Sequence, residues 1–335
     1  MPDIFTFDSP NCAAYANSKY LTDLTSYLTD EEKAKIINPN EYDGKMYGIP
    51  IQESSAGFFY NKALLDQAGV DVSGITVDNP WTFSEFKEVC KKLKAKNITP
   101  VDMRMDATND ETAPYLLYPF IYAAGGSFLD STGKVATGYF NSDASKKGYQ
   151  FLRDLLDAKY TSYGIGATDF YTGKVGLYLS SGWSISFMDS KYKSTFPDRS
   201  TWGILPYPKE VIAASPNGSW SFGVGTNTAE DKRPVIELLK YITNATSSKT
   251  ITDATGMIPA NRDVATNYEA NSPEDVLQQQ LVKTSKVRTP TVGYPEFSST
   301  FNQVISALSE GSVSDLVDNK AQVLQRKLDQ IKYAD

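Results

Sequence analysis

The chain has 335 residues, a length that favours about two domains. Its hydrophobic fraction of 41% and charged fraction of 22% are ordinary for globular proteins, which excludes a disordered or collagen-like chain. Forty acidic residues against 33 basic ones give a net charge of -7, so we expect no nucleic-acid partner.

The sequence contains no histidine, which excludes Ser–His–Asp and Cys–His nucleophile chemistry and removes the commonest transition-metal ligand. The two cysteines, Cys12 and Cys90, show no CxxC spacing and offer no zinc set. We interpret them as small buried residues, and we expect neither a metal centre nor a cofactor. Aromatic residues make up 12% of the chain and can fill a core or line a site for flat, weakly polar ligands.

The first part of the chain alternates predicted strands and helices. In chain order these are a strand at 1–8, helices at 13–28 and 30–37, a hairpin at 42–51, a strand at 57–60 and a helix at 61–68. Asp43-Gly44 is the turn signal of the hairpin. Thr82 and Glu85 form a capping box, which predicts a helix that extends to residue 96.

The second part of the chain becomes increasingly helical. The predicted elements are helices at 113–124, 141–159 and 183–192, strands at 174–180, 202–206 and 220–225, and helices at 229–244, 298–308 and 314–332. Pro295 is interpreted as a stop before the helix at 298–308. This order predicts an α/β protein of two lobes. Because no flexible linker is visible, we expect the lobes to meet at a hinge of crossing strands.

A set of segments along the chain resembles one known family. They include PDIFTFDSPNCAAYA, YDGKMYGIPI, PWTFSEFKEVCKKLK, PYLLYPFIYAAGG, TGKVGLYLSSGW, GSWSFGVGTN and GMIPANRDV, at residues 2–16, 42–51, 80–94, 114–126, 172–183, 218–227 and 256–264. In this order they resemble the extracellular solute-binding proteins of ABC sugar importers, the class that includes maltose-binding and multiple-sugar-binding proteins.

The resemblance implies a periplasmic-binding-protein fold of type 2 character, with two α/β lobes and a hinge that the chain crosses three times. The crossings are expected near 53–57, 219–222 and 258–262. The first lobe would comprise 1–55 and 222–258, and the second 56–221 and 259–335. Family members begin with a leader and a strand–helix–strand unit, so we expect an N-terminally truncated, incomplete first lobe and poor solubility.

The candidate ligand-binding residues combine aromatic platforms with polar partners, as a saccharide requires. The aromatic candidates are Tyr115, Trp183, Trp220, Tyr294 and Phe301, each of which can alternatively belong to the core. The polar candidates are Asp8, Asn11, Glu53 and Arg262. For these the alternatives are loop capping at Asp8, a solvated carboxylate at Glu53 and a hinge brace at Arg262.

The resemblance implies a binding protein and not an enzyme. It would capture a carbohydrate, and specifically an oligosaccharide, and deliver it to membrane permease subunits. We expect a monomer outside the cytoplasm, either a cell-surface lipoprotein or a periplasmic protein. The alternatives are a polyol, glycerol phosphate, peptide or metal ion as the ligand, a glycoside hydrolase, and a regulator or adhesin that reuses the fold. A calcium loop at 106–110 lacks the required spacing.

Overall fold

Two β-sheets form the framework of the structure, a computed structural model in which residues 2–227 and 230–333 are described. Within these residues the strands are β1 (Ile4–Asp8), β2 (Asn40–Tyr42), β3 (Lys45–Ser54), β4 (Ala56–Asn61), β5 (Thr99–Asp102), β6 (Val175–Ser181), β7 (Trp202–Leu205), β8 (Ser215–Val224), β9 (Ile258–Pro259) and β10 (Ser285–Val287). The two sheets belong to two different lobes, as the sequence predicted.

Helices cover both sheets. They are α1 (Cys12–Asn17), α2 (Asp30–Lys35), α3 (Lys62–Gln67), α4 (Phe83–Ala95), α5 (Thr112–Ala123), α6 (Asp143–Asp157), α7 (Ala167–Tyr171), α8 (Trp183–Ser190), α9 (Arg233–Ile242), α10 (Ala245–Thr255), α11 (Pro273–Lys283), α12 (Tyr294–Ser306) and α13 (Val313–Leu328). In the described part of the chain, none of these helices combines the length and the apolar character that crossing a membrane requires.

The first lobe is built around β8, which lies between β1 and β3 and is antiparallel to both. β2 pairs with the far edge of β3, and the short strands β9 and β10 add to β3 and β8. Helices α9 and α10 pack against these strands. Apolar side chains of the sheet and of the neighbouring segments fill a small core that includes Leu24, Met46, Ile49, Val224 and Leu239.

The second lobe holds the larger core. Its sheet has the order β5-β6-β4-β7, with β5 parallel to β6 and the other pairs antiparallel. Helices α4, α5, α6, α12 and α13 enclose one face of this lobe, and their buried side chains include Phe86, Phe120, Tyr149, Phe297 and Leu324. The side chains that the second lobe presents to the first lobe therefore project from a well-packed core.

The chain passes between the lobes where three strands meet. β3 stays in the first sheet through Ser54, and β4 joins the second sheet at Ala56. β8 pairs with β3 from Gly218, opposite Ser54, onward, and Gly218 lies four residues before the boundary expected at 222. β9 pairs Ile258 with the same stretch of β3, after which α11 packs against β7 of the second lobe. A ligand between the lobes therefore lies next to these strands.

Several local signals fold as predicted. Asp43 and Gly44 have φ angles of 51° and 70°, as a tight two-residue hairpin turn requires. Thr82 caps α4 and completes the capping box with Glu85. Cys12 and Cys90 are free and buried, which agrees with their interpretation as small core residues.

Two predicted elements need correction, and the start of a third cannot be compared. The helix predicted at 13–28 ends at Asn17, because Leu21 instead bridges to Gly225 of the first sheet and the amide of Leu24 donates to Met46. Pro295 lies in the first turn of α12 and does not stop an earlier helix, since the first turn tolerates a missing amide hydrogen. Ala229, where a helix was predicted to begin, lies outside the described residues.

Candidate ligand cleft

A cleft of about 630 Å³ lies between the lobes, a volume that suits a small organic ligand. Its first-lobe lining includes Thr6, Phe7, Asp8, Asn11, Tyr15, Gln52, Ser54, Gly218, Ser219, Trp220, Thr255 and Met257. The remaining lining is Asp110, Glu111, Thr112, Tyr115, Trp183 and Arg288. Five of the predicted ligand-binding residues therefore share one cavity: Asp8, Asn11, Tyr115, Trp183 and Trp220.

An arginine clamps the carboxylate of Asp8 at the base of the cleft. Nη1 of Arg288 donates to Oδ2 of Asp8 at 2.6 Å, and Nη2 donates to Oδ1 at 2.5 Å. The exposed fractions of the two side chains are only 3% and 10%. Such a fork-to-fork pair fixes the plane of the carboxylate as well as its position.

Glu111 extends this charged group into the second lobe. Nη1 of Arg288 lies 3.2 Å from Oε2 of Glu111, and the hydroxyl of Tyr294 donates to the same oxygen at 2.5 Å. Ser298 donates to the other carboxylate oxygen. Burial holds the pKa of Tyr294 well above its usual value, so this hydroxyl remains a donor. Glu111 lies just before α5, so its carboxylate also lies near the positive end of that helix.

Two tryptophans and a tyrosine supply aromatic surface to the cleft. Trp183 is the first residue of α8, and its ring centroid lies 6.2 Å from that of Tyr115. The Tyr115 hydroxyl donates to Oγ of Ser54 at 2.9 Å, and burial raises the pKa of Tyr115 to about 12. Trp220 comes from the first lobe and is 51% exposed. A large exposed aromatic ring at the wall of a cleft is available to a ligand.

Residues 1–249 match the sequence model of a family described as bacterial extracellular solute-binding proteins. The chain belongs to this family. Members of the family bind solutes outside the cytoplasm. A cleft between two lobes agrees with solute binding.

Three known proteins illustrate what this solute-binding protein is similar to. A binding protein of Brucella abortus (strain 2308) is 22% identical over 86% of this chain and 70% of its own. The maltodextrin-binding protein MdxE of Bacillus subtilis (strain 168) is 20% identical over 93% of this chain and 72% of its own length. The crystal structure of the cyclic alpha-maltosyl-1,6-maltose binding protein from Arthrobacter globiformis superposes with a TM-score of 0.82. The match has 22% sequence identity and covers 98% of this chain and 85% of the Arthrobacter chain. The last similarity shows the two-lobe fold.

Glu53 does not line the cleft of the solute-binding protein, although it was predicted to do so. Its neighbours Gln52 and Ser54 line the cleft, and side chains alternate between the two faces of a strand. Glu53 is buried on the other face, where Oε2 accepts hydrogen bonds from Nδ2 of Asn38 at 3.0 Å and Nδ2 of Asn217 at 3.1 Å. Loss of hydration raises its pKa to about 8.

Three other predicted residues also lie away from the cleft surface. Phe301 is fully buried in the second-lobe core, because α12 turns it toward Phe128 and Phe297. Tyr294 is fully buried, and its hydroxyl donates to Glu111 and accepts from Nη1 of Arg288, both of which line the cleft. Arg262 is exposed, and its backbone amide donates to Lys35 of the first lobe.

The sequence reasoning missed two charged residues that line the cleft, Glu111 of the second lobe and Arg288 at the junction of the lobes. Arg288 lies 280 residues from Asp8, in a short polar segment without periodicity. Glu111 follows Asp110 in a loop where a carboxylate is unremarkable. The one usable signal is that Glu111 lies two residues before the apolar helix predicted at 113–124, because anionic side chains are favoured at helix N-termini.

Proposed function

We propose that this solute-binding protein captures a carbohydrate, specifically an oligosaccharide, between its lobes. The observation that carries this proposal is the pairing of aromatic rings from both lobes with carboxylates in a single cleft. Sugars present apolar C–H faces and rims of hydroxyl groups, and these surfaces need both kinds of partner. The ligands printed in the names of the Bacillus and Arthrobacter proteins, maltodextrin and a cyclic maltosyl-maltose, support the same class.

Each of the five shared residues has a definite part in this proposal. Trp183 and Trp220 present ring faces to the sugar, and Tyr115 closes the cavity beneath Trp183. Asp8 accepts hydroxyl hydrogens with the lone pairs that Arg288 leaves free, since each carboxylate oxygen has two acceptor sites. Asn11, at the end of the turn after β1, can both donate and accept.

Capture works through the equilibrium between separated and closed lobes. A ligand that touches both lobes binds the closed form more tightly, and therefore shifts the population toward it. The closed form is what the permease of an ABC importer recognises in this proposal. No covalent bond is made or broken. The proposed location is outside the cytoplasm, either on a lipid anchor or free in the periplasm.

A binding screen tests the proposal. Thermal-shift measurements with neutral mono- and oligosaccharides should identify at least one series that stabilises the protein, by about 2.7 kcal/mol at 100 times the dissociation constant. Isothermal titration calorimetry then gives the affinity for the best sugar. Trp220→Ala should weaken this affinity about tenfold or more while changing the free energy of unfolding by less than about 0.5 kcal/mol, because the ring is half exposed.

Tyr241→Ala is the matched control, because Tyr241 is 68% exposed on α9 and does not line the cleft. It should leave the sugar affinity unchanged. A stabilising response to polyols, glycerol phosphate or peptides, with none to saccharides, would contradict the carbohydrate assignment. Equal loss of affinity in Trp220→Ala and Tyr241→Ala would contradict the location of the site.

A further inference from the structure

Arg288 is a buried cation at the junction of the two lobes. It follows β10, and the next residues are held by the second lobe, where Thr291 donates to the carbonyl of Gly133. The guanidinium, however, forms its two shortest bonds with Asp8 at the end of β1 in the first lobe. Nη1 of Arg288, which donates to Asp8, also contacts Glu111. One side chain therefore joins charged groups of both lobes beneath the cleft.

The geometry of this contact is more specific than a surface ion pair. Arg288 has a planar fork of donors, and both Nη atoms are engaged by Asp8. The guanidinium also makes cation–π contacts with two tyrosines. Its carbon lies 5.4 Å from the ring centroid of Tyr115 and 5.8 Å from that of Tyr294. With an exposed fraction of 3%, the side chain has little freedom to adopt another arrangement.

We propose that Arg288 is the positioning residue of the cleft: it orients the Asp8 carboxylate toward the ligand and couples the first lobe to Glu111 of the second. The assignment of a ligand to Asp8 rests on the proposed carbohydrate function. Asp8 is then presented in one plane, and ligand binding to it is transmitted to the second lobe through a single side chain. A ligand that bonds to Asp8 therefore acts on one of the contacts between the lobes, beside the hydrogen bond from Tyr115 to Ser54.

A double-mutant cycle tests the positioning role. The variants are Asp8→Asn, Arg288→Met and the double variant, each titrated with the saccharide that binds best in the screen. Arg288→Met should weaken binding at least tenfold in the wild-type background and less than twofold in the Asp8→Asn background, because its effect passes through Asp8. An equal loss in both backgrounds would overturn the proposal, since a merely structural role does not depend on Asp8.

Two further variants guard against a general loss of folding. Arg288→Lys keeps the charge but not the fork, so it should restore the melting temperature of Arg288→Met more fully than it restores the affinity. Arg153→Met is the matched control: Arg153 is a partly buried arginine that pairs with Asp157 at 2.7 Å and lies outside the cleft. Full recovery of affinity in Arg288→Lys, or loss of affinity in Arg153→Met, would contradict a specific positioning role.

The coupling of the lobes can be measured without a sugar. Spin labels on Asp30→Cys in the first lobe and Lys91→Cys in the second occupy exposed positions. The native Cys12 and Cys90 are buried, and burial raises their thiol pKa values, which limits their labelling.

In the ligand-free protein, pulsed electron spin resonance should give a broader or longer distribution of distances for Arg288→Met and Glu111→Gln than for the labelled parent. Identical distributions would overturn the coupling of the lobes. If no saccharide binds the wild-type protein, the proposed function fails, and this measurement still decides whether Arg288 couples the lobes.

Discussion

The buried carboxyl of Glu53 should make the stability of the protein depend on pH. Glu53 is 1% exposed where β3, β8 and β9 meet, and its Oε1 has no hydrogen-bond partner among the described residues. Loss of hydration raises its pKa from the ordinary value of 4.5 to about 8, against the opposing effect of the hydrogen bonds from Asn38 and Asn217. The folded protein therefore holds this group in its protonated form at neutral pH.

The sign of the effect follows from the protons that each state binds. Below pH 4.5 the Glu53 carboxyl carries its proton in both the folded and the unfolded chain. Its contribution to the free energy of unfolding is then at its maximum. Between pH 4.5 and 8 only the folded chain keeps the proton, so the free energy of unfolding falls by about 1.4 kcal/mol per pH unit. Over the whole interval this single group accounts for a loss of up to about 5 kcal/mol. Above pH 8 the loss is complete.

Glu53→Gln removes the titration and keeps the shape of the side chain. Urea unfolding of the wild type and the variant at pH 5, 6, 7 and 8 measures the difference in free energy of unfolding at each pH. As the pH rises, the free energy of unfolding of the variant should increase relative to that of the wild type. Asp102 is also buried, with a pKa raised to about 7 by loss of hydration, but it titrates in both proteins and cancels in the difference.

Asp102→Asn provides the matched control. It should remove a separate part of the pH dependence, and in the double variant the unfolding free energy should be the least sensitive to pH. Parallel curves for the wild type and Glu53→Gln from pH 5 to 8 would refute the reasoning, because they would show that Glu53 is already ionised in the folded protein.

Three further substitutions have definite expected outcomes. Gly218→Ala places a Cβ 2.6 Å from the ring of Tyr115 and 2.9 Å from Oγ of Ser54, so the ring must move, and calorimetry should show a loss of saccharide affinity of about tenfold. Phe301→Ala should lower the free energy of unfolding in urea by about 3–5 kcal/mol and leave the affinity unchanged, because Phe301 belongs to the core. Thr82→Ala should lower the free energy of unfolding in urea by about 1 kcal/mol, because the cap on α4 is lost. No change in this free energy would show that the capping box contributes nothing to stability.

The elements of this fold that local sequence signals specify were predictable. The turn at Asp43-Gly44 needs positive φ angles that this pair tolerates, and the cap at Thr82 satisfies a backbone amide three residues away. The helix predicted at 13–28 failed for the opposite reason. Leu21 and Leu24 have helical spacing, but their backbones bond to Gly225 and Met46, far along the chain. Tertiary pairing overrides a local periodicity there.

The composition of the cleft was predictable only in part. Asp8 and Trp183 could be chosen because each lies within two residues of the end of a strand, where side chains reach the edge of a sheet. Arg288 could not be chosen, since its partner Asp8 is brought to it by the folding of the whole chain. A buried ion pair leaves no local pattern in the sequence, because either partner alone is an ordinary polar residue.

β3 shows why the residues of a hinge strand must be assigned by face and not by proximity to the ligand. Gln52 and Ser54 face the cleft, whereas Glu53 between them faces the crossing of the strands. An error of one position in the register exchanges these two environments. The sequence reasoning chose Glu53 because it lies at the first expected crossing, with a solvated carboxylate as the alternative. The side chain is instead buried, where it accepts hydrogen bonds from Asn38 and Asn217. The cleft-facing positions of the same strand carry an amide and a hydroxyl, both of which are neutral groups.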